Sequence, residues 1–430
     1  MERFVIHGGS PLQGTVQVHG AKNAVLPMMA AALLTREPVI LRDVPRLVDI
    51  ETMARILQEL GCRIDWVGTT MRLQVVDEAP YTARRELVKT MRGSFCVLGP
   101  LLGRRRRAKV SYPGGCVIGV RPIDLHLKGL KALGAEIDVR EGNVAATADR
   151  LRGSAMFLGG AFGSTVTGTM NVLMASVLAR GRTVIDFAAC EPEVQELCRM
   201  LGAMGARISG VGSPRLEIEG VDELRGCEID VIPDRIEAGT FLVAAAVTRG
   251  DVFVENARAE HLGAVIETLR QCGAEIICSP TSIHVQAPAG LRAADITTLP
   301  YPGFPTDLQA QFMAMCSVAE GISVIQERIY PDRFMHVAEL GRLGARIRKD
   351  GSAAVVIGTD RLHGAPVMAS DLRAGAALVT AGLAAEGVTE VERIYHIDRG
   401  YDRLEERLRG LGARIERAAM ADSKVVGEAA

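Results

Sequence analysis

The chain has 430 residues, 48% of them hydrophobic, enough for two substantial cores. Its formal net charge of −1 excludes a bulk nucleic-acid binder, which needs a basic footprint. Nine scattered cysteines, without a C-x-x-C pair or a His/Cys cluster at zinc spacing, imply no metal and a reducing, cytoplasmic compartment.

Read in chain order, the predicted elements repeat one unit. Residues 1–6 suggest a strand, not a leader peptide. A helix rich in Ala and Leu is predicted at 24–34, opening at Lys22-Asn23. It is too short to span a membrane and holds Pro27, so no membrane insertion is expected. A loop with Arg46 leads to a second helix ending at Leu60-Gly61-Cys62-Arg63-Ile64. The next unit opens at Arg92-Gly93-Ser94, with a helix stop at Gly103, and closes at Leu133-Gly134-Ala135-Glu136-Ile137. Its basic run Arg104-Arg105-Arg106-Arg107 reads as a solvated turn or helix end. The third unit opens at Ser164-Thr165, stops at Gly181, passes Glu191 and closes at Met204-Gly205-Ala206-Arg207-Ile208. The fourth has a helix at 238–247 opening at Glu237, then Gly250, a strand at 251–255, Arg258 and Cys272-Gly273-Ala274-Glu275-Ile276. The fifth opens at Thr306-Asp307, stops at Gly321, continues as a strand at 323–327, passes Arg333 and closes at Leu343-Gly344-Ala345-Arg346-Ile347. The sixth opens at Ser370-Asp371, holds a helix at 372–385, Gly387, a strand at 389–392 and Arg399, and closes at Leu411-Gly412-Ala413-Arg414-Ile415. The tail 418–430 has no apolar period.

One such closing glycine is only a helix C-cap. Six of them, at intervals of 68–73 residues, mean six copies of a βαβαββ-like unit, an α/β architecture with three units in each of two domains. The starts of the first helices carry unpaired N–H groups and partial positive charge, so several facing one cleft would hold anions. The loops before the second helices carry Arg46, Arg121, Glu191, Arg258, Arg333 and Arg399.

The second unit departs from the others. From the helix-stopping glycine to the closing glycine, four units measure 23–25 residues and this one 31. The surplus falls on Pro113-Gly114-Gly115-Cys116-Val117-Ile118-Gly119-Val120-Arg121-Pro122, and additions to a repeat concentrate on its working face. Its glycines permit close approach to a ligand. A nearby cation favours thiolate, the reactive form of Cys116.

Seven ordered motifs resemble the UDP-N-acetylglucosamine enolpyruvyl transferase family over residues 1–418. They are Gly20-Ala21-Lys22-Asn23-Ala24, Lys89-Thr90-Met91-Arg92, the segment 113–126, Pro233-Asp234-Arg235-Ile236-Glu237, Phe304-Pro305-Thr306-Asp307, Arg333-Phe334-Met335-His336 and Tyr395-His396-Ile397-Asp398-Arg399-Gly400-Tyr401. The resemblance implies a two-domain inside-out α/β barrel of six repeats, helices inside. One domain is 22–231; the other joins 1–21 to 232–430, with the active site in the cleft between them. It implies transfer of the enolpyruvyl group of phosphoenolpyruvate to the 3′-hydroxyl of UDP-N-acetylglucosamine, with release of phosphate, a step of peptidoglycan precursor synthesis. No cofactor is implied.

By the same resemblance, Cys116 either adds to phosphoenolpyruvate or protonates its methylene carbon, and is the target of fosfomycin. An aspartate fills this position in some family members. Asp307, which by residue type alone would be a helix N-cap, becomes the group that takes the sugar proton. Lys22, Arg121 and Arg399 hold the phosphate, and Arg333 and Arg373 the carboxylate. Asn23 and Asp371 contact the reacting centre, Arg92 lies near substrate, and Ile329 is a further substrate-binding residue. Arg121-Pro122-Ile123-Asp124-Leu125 resembles the uridine segment, and Phe162-Gly163 the diphosphate turn. Glu191 and Arg235 match inter-domain or supporting positions, and His126 a packed or supporting histidine.

The chain departs from the common family pattern twice. Gly159 stands where many relatives carry a lysine, and Cys190 where an arginine precedes Glu191-Pro192-Glu193. Losing a cation near the diphosphate should weaken nucleotide binding or move that job elsewhere. Three rival readings are weighed: a non-catalytic paralogue binding a nucleotide sugar, a 3-phosphoshikimate enolpyruvyl transferase, and a repeat scaffold with no ligand.

Overall fold

A computed structural model describes residues 2–113, 122–287 and 290–419. Cys116 and Arg121 lie outside the described residues. Six four-stranded sheets share one pattern: a parallel pair, then two antiparallel steps. Val39–Arg42, for example, runs parallel to Cys227–Asp230 and antiparallel to Thr70–Val75, which pairs antiparallel with Cys62–Val67. All six closing glycines take left-handed φ values between 83° and 105°, where a side chain is disfavoured. That conformation turns each second helix into its strand and explains the repeated phrase.

Two hydrophobic cores form. One gathers buried residues from Ala21 to Ile232; the other joins Phe4–Val18 to Ile236–Ile415. The sheets divide the same way. Strand Cys227–Asp230 returns to the first sheet of its half, Gln13–Gln17 pairs with Asp251–Glu255, and Glu2–His7 lies between Val388–Glu392 and Arg414–Ala419.

In five of the six units the first helix is apolar on every face and is correspondingly buried; the second unit's, Leu98–Arg105, ends in two arginines. Lys22–Ala31, Val166–Ser176, Arg235–Val247, Gln309–Cys316 and Leu372–Ala384 are buried along nearly their whole length. Glycine permits close contact: Asn171 O lies 2.2 Å from where a Cβ on Gly99 would sit, on the neighbouring helix Leu98–Arg105. The second helices are amphipathic instead, as in Val48–Glu59.

Several predicted boundaries move. The first helix tightens into a 3-10 turn at Ala32–Leu34, and the fourth starts at Arg235 rather than 238 because Asp234 caps it. Arg92–Val97 and Thr306–Leu308 are 3-10 turns leading into their helices. Gly103 does not stop its helix, which runs to Arg105 and ends on a left-handed Arg106; the helices before Gly181 and Gly321 end earlier, at Ser176 and Cys316, so measured from helix end to closing glycine the second unit is no longer than the third and its surplus disappears. The basic run is only partly solvated: Arg104 pairs with Glu78 at 3.0 Å and Arg105 donates to Leu60 O at 2.8 Å.

Candidate active site

The starts of all six first helices line one cavity of about 740 Å³. It is flanked by residues of both cores. Lys22, Asn23, Arg92, Pro122, Asp124, Leu125, Phe162, Gly163, Asp307, Ile329, Arg333, Asp371, Arg373 and Arg399 all line it, with Glu191, Arg235 and His126. Ile123 does not: the residue is buried between Pro122 and Asp124, which do line it. Arg46 is exposed and stacks on Trp66 at 3.6 Å, and Arg258 is exposed away from the cavity.

Three carboxylates hold the cations in place. Asp307 is not an N-cap; its two oxygens accept from Arg333 Nη1 at 2.8 Å and Arg373 Nη2 at 3.0 Å. Burial alone would raise its pKa, but Arg373 and Arg333 outweigh that and hold it well below the usual carboxylate range. Arg373 also donates to the Tyr401 hydroxyl at 3.1 Å, and Arg333 to Thr306 Oγ1 at 3.0 Å. Buried Glu327 accepts from Thr306 Oγ1 at 2.9 Å and from the N–H groups of Ile329 and Tyr330 at 2.8 and 3.0 Å, which fixes the Ile329 loop. Asp49 accepts from Lys22 Nζ at 3.1 Å and Arg399 Nε at 2.9 Å. Burial opposes its charge, yet Lys22 and Arg399 keep it ionised. Glu193 receives Arg235 at 2.9 and 3.2 Å.

Other predicted residues serve the helix ends. Asp371 caps its helix, accepting from the N–H groups of Arg373 and Ala374 at 2.9 and 3.1 Å. Thr165 caps the helix after the Phe162 turn. His126 is buried, 3.0 Å from Thr167 Oγ1 and edge-on to Phe95, as a packed histidine would be. Glu191 is buried, its pKa raised by burial, and accepts from Tyr301 N at 3.4 Å. Among the described residues no group of His, Cys, Asp and Glu has the arrangement of a metal site, and no helix is long and apolar enough to cross a membrane.

Asp49 and Glu327 escape a motif reading. Asp49 had a signal: it shares the buried face of its helix with Met53 and Ile56, and an acid on an apolar stripe calls for a partner. At the departure point, Gly159-Gly160 pairs with Gly163-Ser164 in a two-stranded ribbon. A side chain at 159 would meet the Phe157 ring within 2.5 Å, so the ribbon has no space for a longer residue there without moving Phe157.

Comparison with known proteins agrees with this geometry. The model of the EPSP synthase (3-phosphoshikimate 1-carboxyvinyltransferase) family matches residues 6–408. A UDP-N-acetylglucosamine 1-carboxyvinyltransferase of Methylacidiphilum infernorum is 54% identical over 97% of this chain and 99% of that protein. One from Myxococcus xanthus is 53% identical, again over 97% and 99%. The chain belongs to the UDP-N-acetylglucosamine 1-carboxyvinyltransferase family. The fold of that family's wider group is evident in solved structures. The enolpyruvyl transferase NikO from Streptomyces tendae superposes with a TM-score of 0.88 at 24% identity, covering 98% of this chain and 99% of its own. EPSP synthase from Acinetobacter baumannii gives 0.75 at 19% identity, covering 97% and 100%. At such identities the likeness speaks for the α/β enolpyruvyl transferase fold alone.

Proposed function

We propose that this protein transfers the enolpyruvyl group of phosphoenolpyruvate to the 3′-hydroxyl of UDP-N-acetylglucosamine, releasing phosphate and supplying the first committed step of peptidoglycan synthesis in the cytoplasm. The observation that carries the reading is the convergence of six helix starts and three carboxylate-held cation sets on one cavity, in a chain more than half identical, end to end, to transferases of that name. The 3-phosphoshikimate alternative has the broad family model over residues 6–408 and a structure at 19% identity in its favour, against relatives more than half identical that carry the UDP-N-acetylglucosamine name.

The sugar hydroxyl adds to C2 of phosphoenolpyruvate while C3 gains a proton; C3 then loses a proton as the C2–O bond to phosphate breaks. Asp307 takes the hydroxyl proton. Cys116 supplies the proton to C3 or captures C2 covalently. Lys22, Arg121 and Arg399 hold the phosphate, Arg333 and Arg373 the carboxylate, and together they offset the repulsion between two anionic groups on one small molecule. Asn23 and Asp371 flank the reacting centre with Arg92 nearby. Pro122, Ile123, Asp124 and Leu125 take the uridine, Phe162 and Gly163 the diphosphate, and Ile329 is a further substrate contact. The protein works as two domains, 22–231 and 1–21 with 232–430, each an inside-out barrel of three units. The separation of the two cores and their sheets supports this division.

The test is phosphate release from phosphoenolpyruvate, with and without UDP-N-acetylglucosamine, beside intact mass after fosfomycin treatment. Release that requires the nucleotide sugar, with one adduct mapped to Cys116, is the expected result. A folded protein with neither would make the nucleotide-sugar-binding paralogue the better reading.

A further inference from the structure

We propose that Asp49 is a built-in counter-ion of the anion site: it holds Lys22 and Arg399 together while the site is empty and reclaims them as phosphate leaves. The proposal rests on the phosphate-holding role given above to those two cations. Lys22 opens the first helix and Arg399 lies 350 positions from Asp49, in the other half of the molecule. Each is aimed at one carboxylate, Lys22 Nζ at Oδ2 and Arg399 Nε at Oδ1. Asp49 is 4% exposed and Lys22 7%. Two cations directed at one point repel each other, the more so away from water. Without a carboxylate between them, that repulsion would be relieved only by an arriving anion, which would then be held more tightly.

An acid buried on an apolar helix stripe is costly unless it is paired, so the place of Asp49 there depends on Lys22 and Arg399. Its charge also has a chemical consequence. A carboxylate beside a phosphate pocket lowers the net positive charge that the phosphate meets. Binding is weakened, and departure of the released phosphate is assisted. Asp49 acts through Lys22 and Arg399, as a positioning residue, and not on the reacting atoms.

The sign of one measurement separates this role from a merely structural one. Inorganic phosphate binding is measured by calorimetry on the native protein and on Asp49→Asn, which keeps size and removes charge. The counter-ion role predicts binding tighter by roughly tenfold or more, with product phosphate inhibiting turnover at correspondingly lower concentration and kcat falling together with the KM for phosphoenolpyruvate. A structural brace predicts weaker binding. Asp49→Glu, which keeps the charge, should stay closer to the native affinity than Asp49→Asn does. Should Asp49→Asn fail to fold, Asp49→Ser, with room for water beside Lys22, carries the same prediction. Unchanged or weaker phosphate binding in a folded neutral variant overturns the proposal. So does a native protein that turns over both substrates but binds no phosphate, an outcome that leaves the transferase reading standing. Tightening on substitution in a native protein without turnover would support the counter-ion and overturn the transferase.

Discussion

Asp307 sits under the strongest opposing forces in the cleft. Its carboxylate is shared by two arginines, each less than a tenth exposed, and an aspartate held that way is a weak base until the arginines are drawn to another anion. On the proposed assignments the carboxylate of phosphoenolpyruvate is that anion. Asp307→Ala should lower turnover by about 10²-fold or more while calorimetry still detects UDP-N-acetylglucosamine; near-native turnover would remove Asp307 from the chemistry. Cys116→Asp should retain turnover and escape inactivation by fosfomycin, read by activity after preincubation with the drug. Much of this site is legible at the level of single residues because cations at first-helix starts and in the loops before second helices can be picked out: Lys22, Arg373, Arg333 and Arg399 reach the cavity, whereas Arg46 and Arg258 do not. Their carboxylate partners are harder to read. Asp49 and Arg399 are far apart in sequence, and only the fold brings them together. Asp307 looks like a cap from its neighbours, and only the distant arginines show otherwise.

The elements are legible for a similar reason. A left-handed glycine after each second helix imposes a phrase that survives sequence drift, so the six units can be counted from it. Helix starts and stops are less readable where a 3-10 turn or a capping Asp234 shifts them by a few residues. Helix packing rests on details no period reveals. A methyl group at Gly99 would collide with backbone at Asn171, so Gly99→Ala should cost about 1–3 kcal/mol. Gly202, exposed on helix Pro192–Ala203 with nothing near its Cβ position, should gain about 0.5–1 kcal/mol as Ala. Urea unfolding of the two variants tests the pair, and equal effects would contradict the packing. Helix His336–Arg342 adds a pH response. Burial pushes the His336 imidazole down to about 4 from its ordinary 6.5. Below about 6.5 the unfolded chain binds a proton that the native state refuses, so the stability contribution is full above that pH and declines as pH falls toward 4. The loss at the lower end is on the order of 3 kcal/mol. His336→Gln should flatten the unfolding midpoint between pH 7 and 5 relative to native, and parallel profiles would refute the assignment.

On the scale of the whole molecule, the polar contacts among the described residues that cross between the two halves at the cavity include Arg399 to Asp49, Arg235 to Glu193, Tyr301 N to Glu191 and Lys22 N to Asp234. The Arg235–Glu193 pair is nearly dry, its side chains 11% and 5% exposed. Such a pair is worth little net, but losing one partner strands the other's charge. Arg235→Met alone should cost about 3–5 kcal/mol, and adding Glu193→Leu should return most of it. Thermal melts of the singles and the double give the coupling, and simple additivity would mean that the pair is solvated. The length, the hydrophobic content and the repeat count point to this two-core body from sequence, whereas the cross-contacts depend on how the halves meet.

Strand Glu2–His7 sets a timetable for synthesis. It is translated before nearly everything it pairs with, since its neighbours are Val388–Glu392 and Arg414–Ala419. The other half has all its strands once Asp230 has been made, so it can close while the ribosome is still at work. Phe4 and Ile6, fully buried at the end, wait uncovered through most of elongation, a short apolar handle for any nascent-chain chaperone and a poor place to attach a bulky fusion partner.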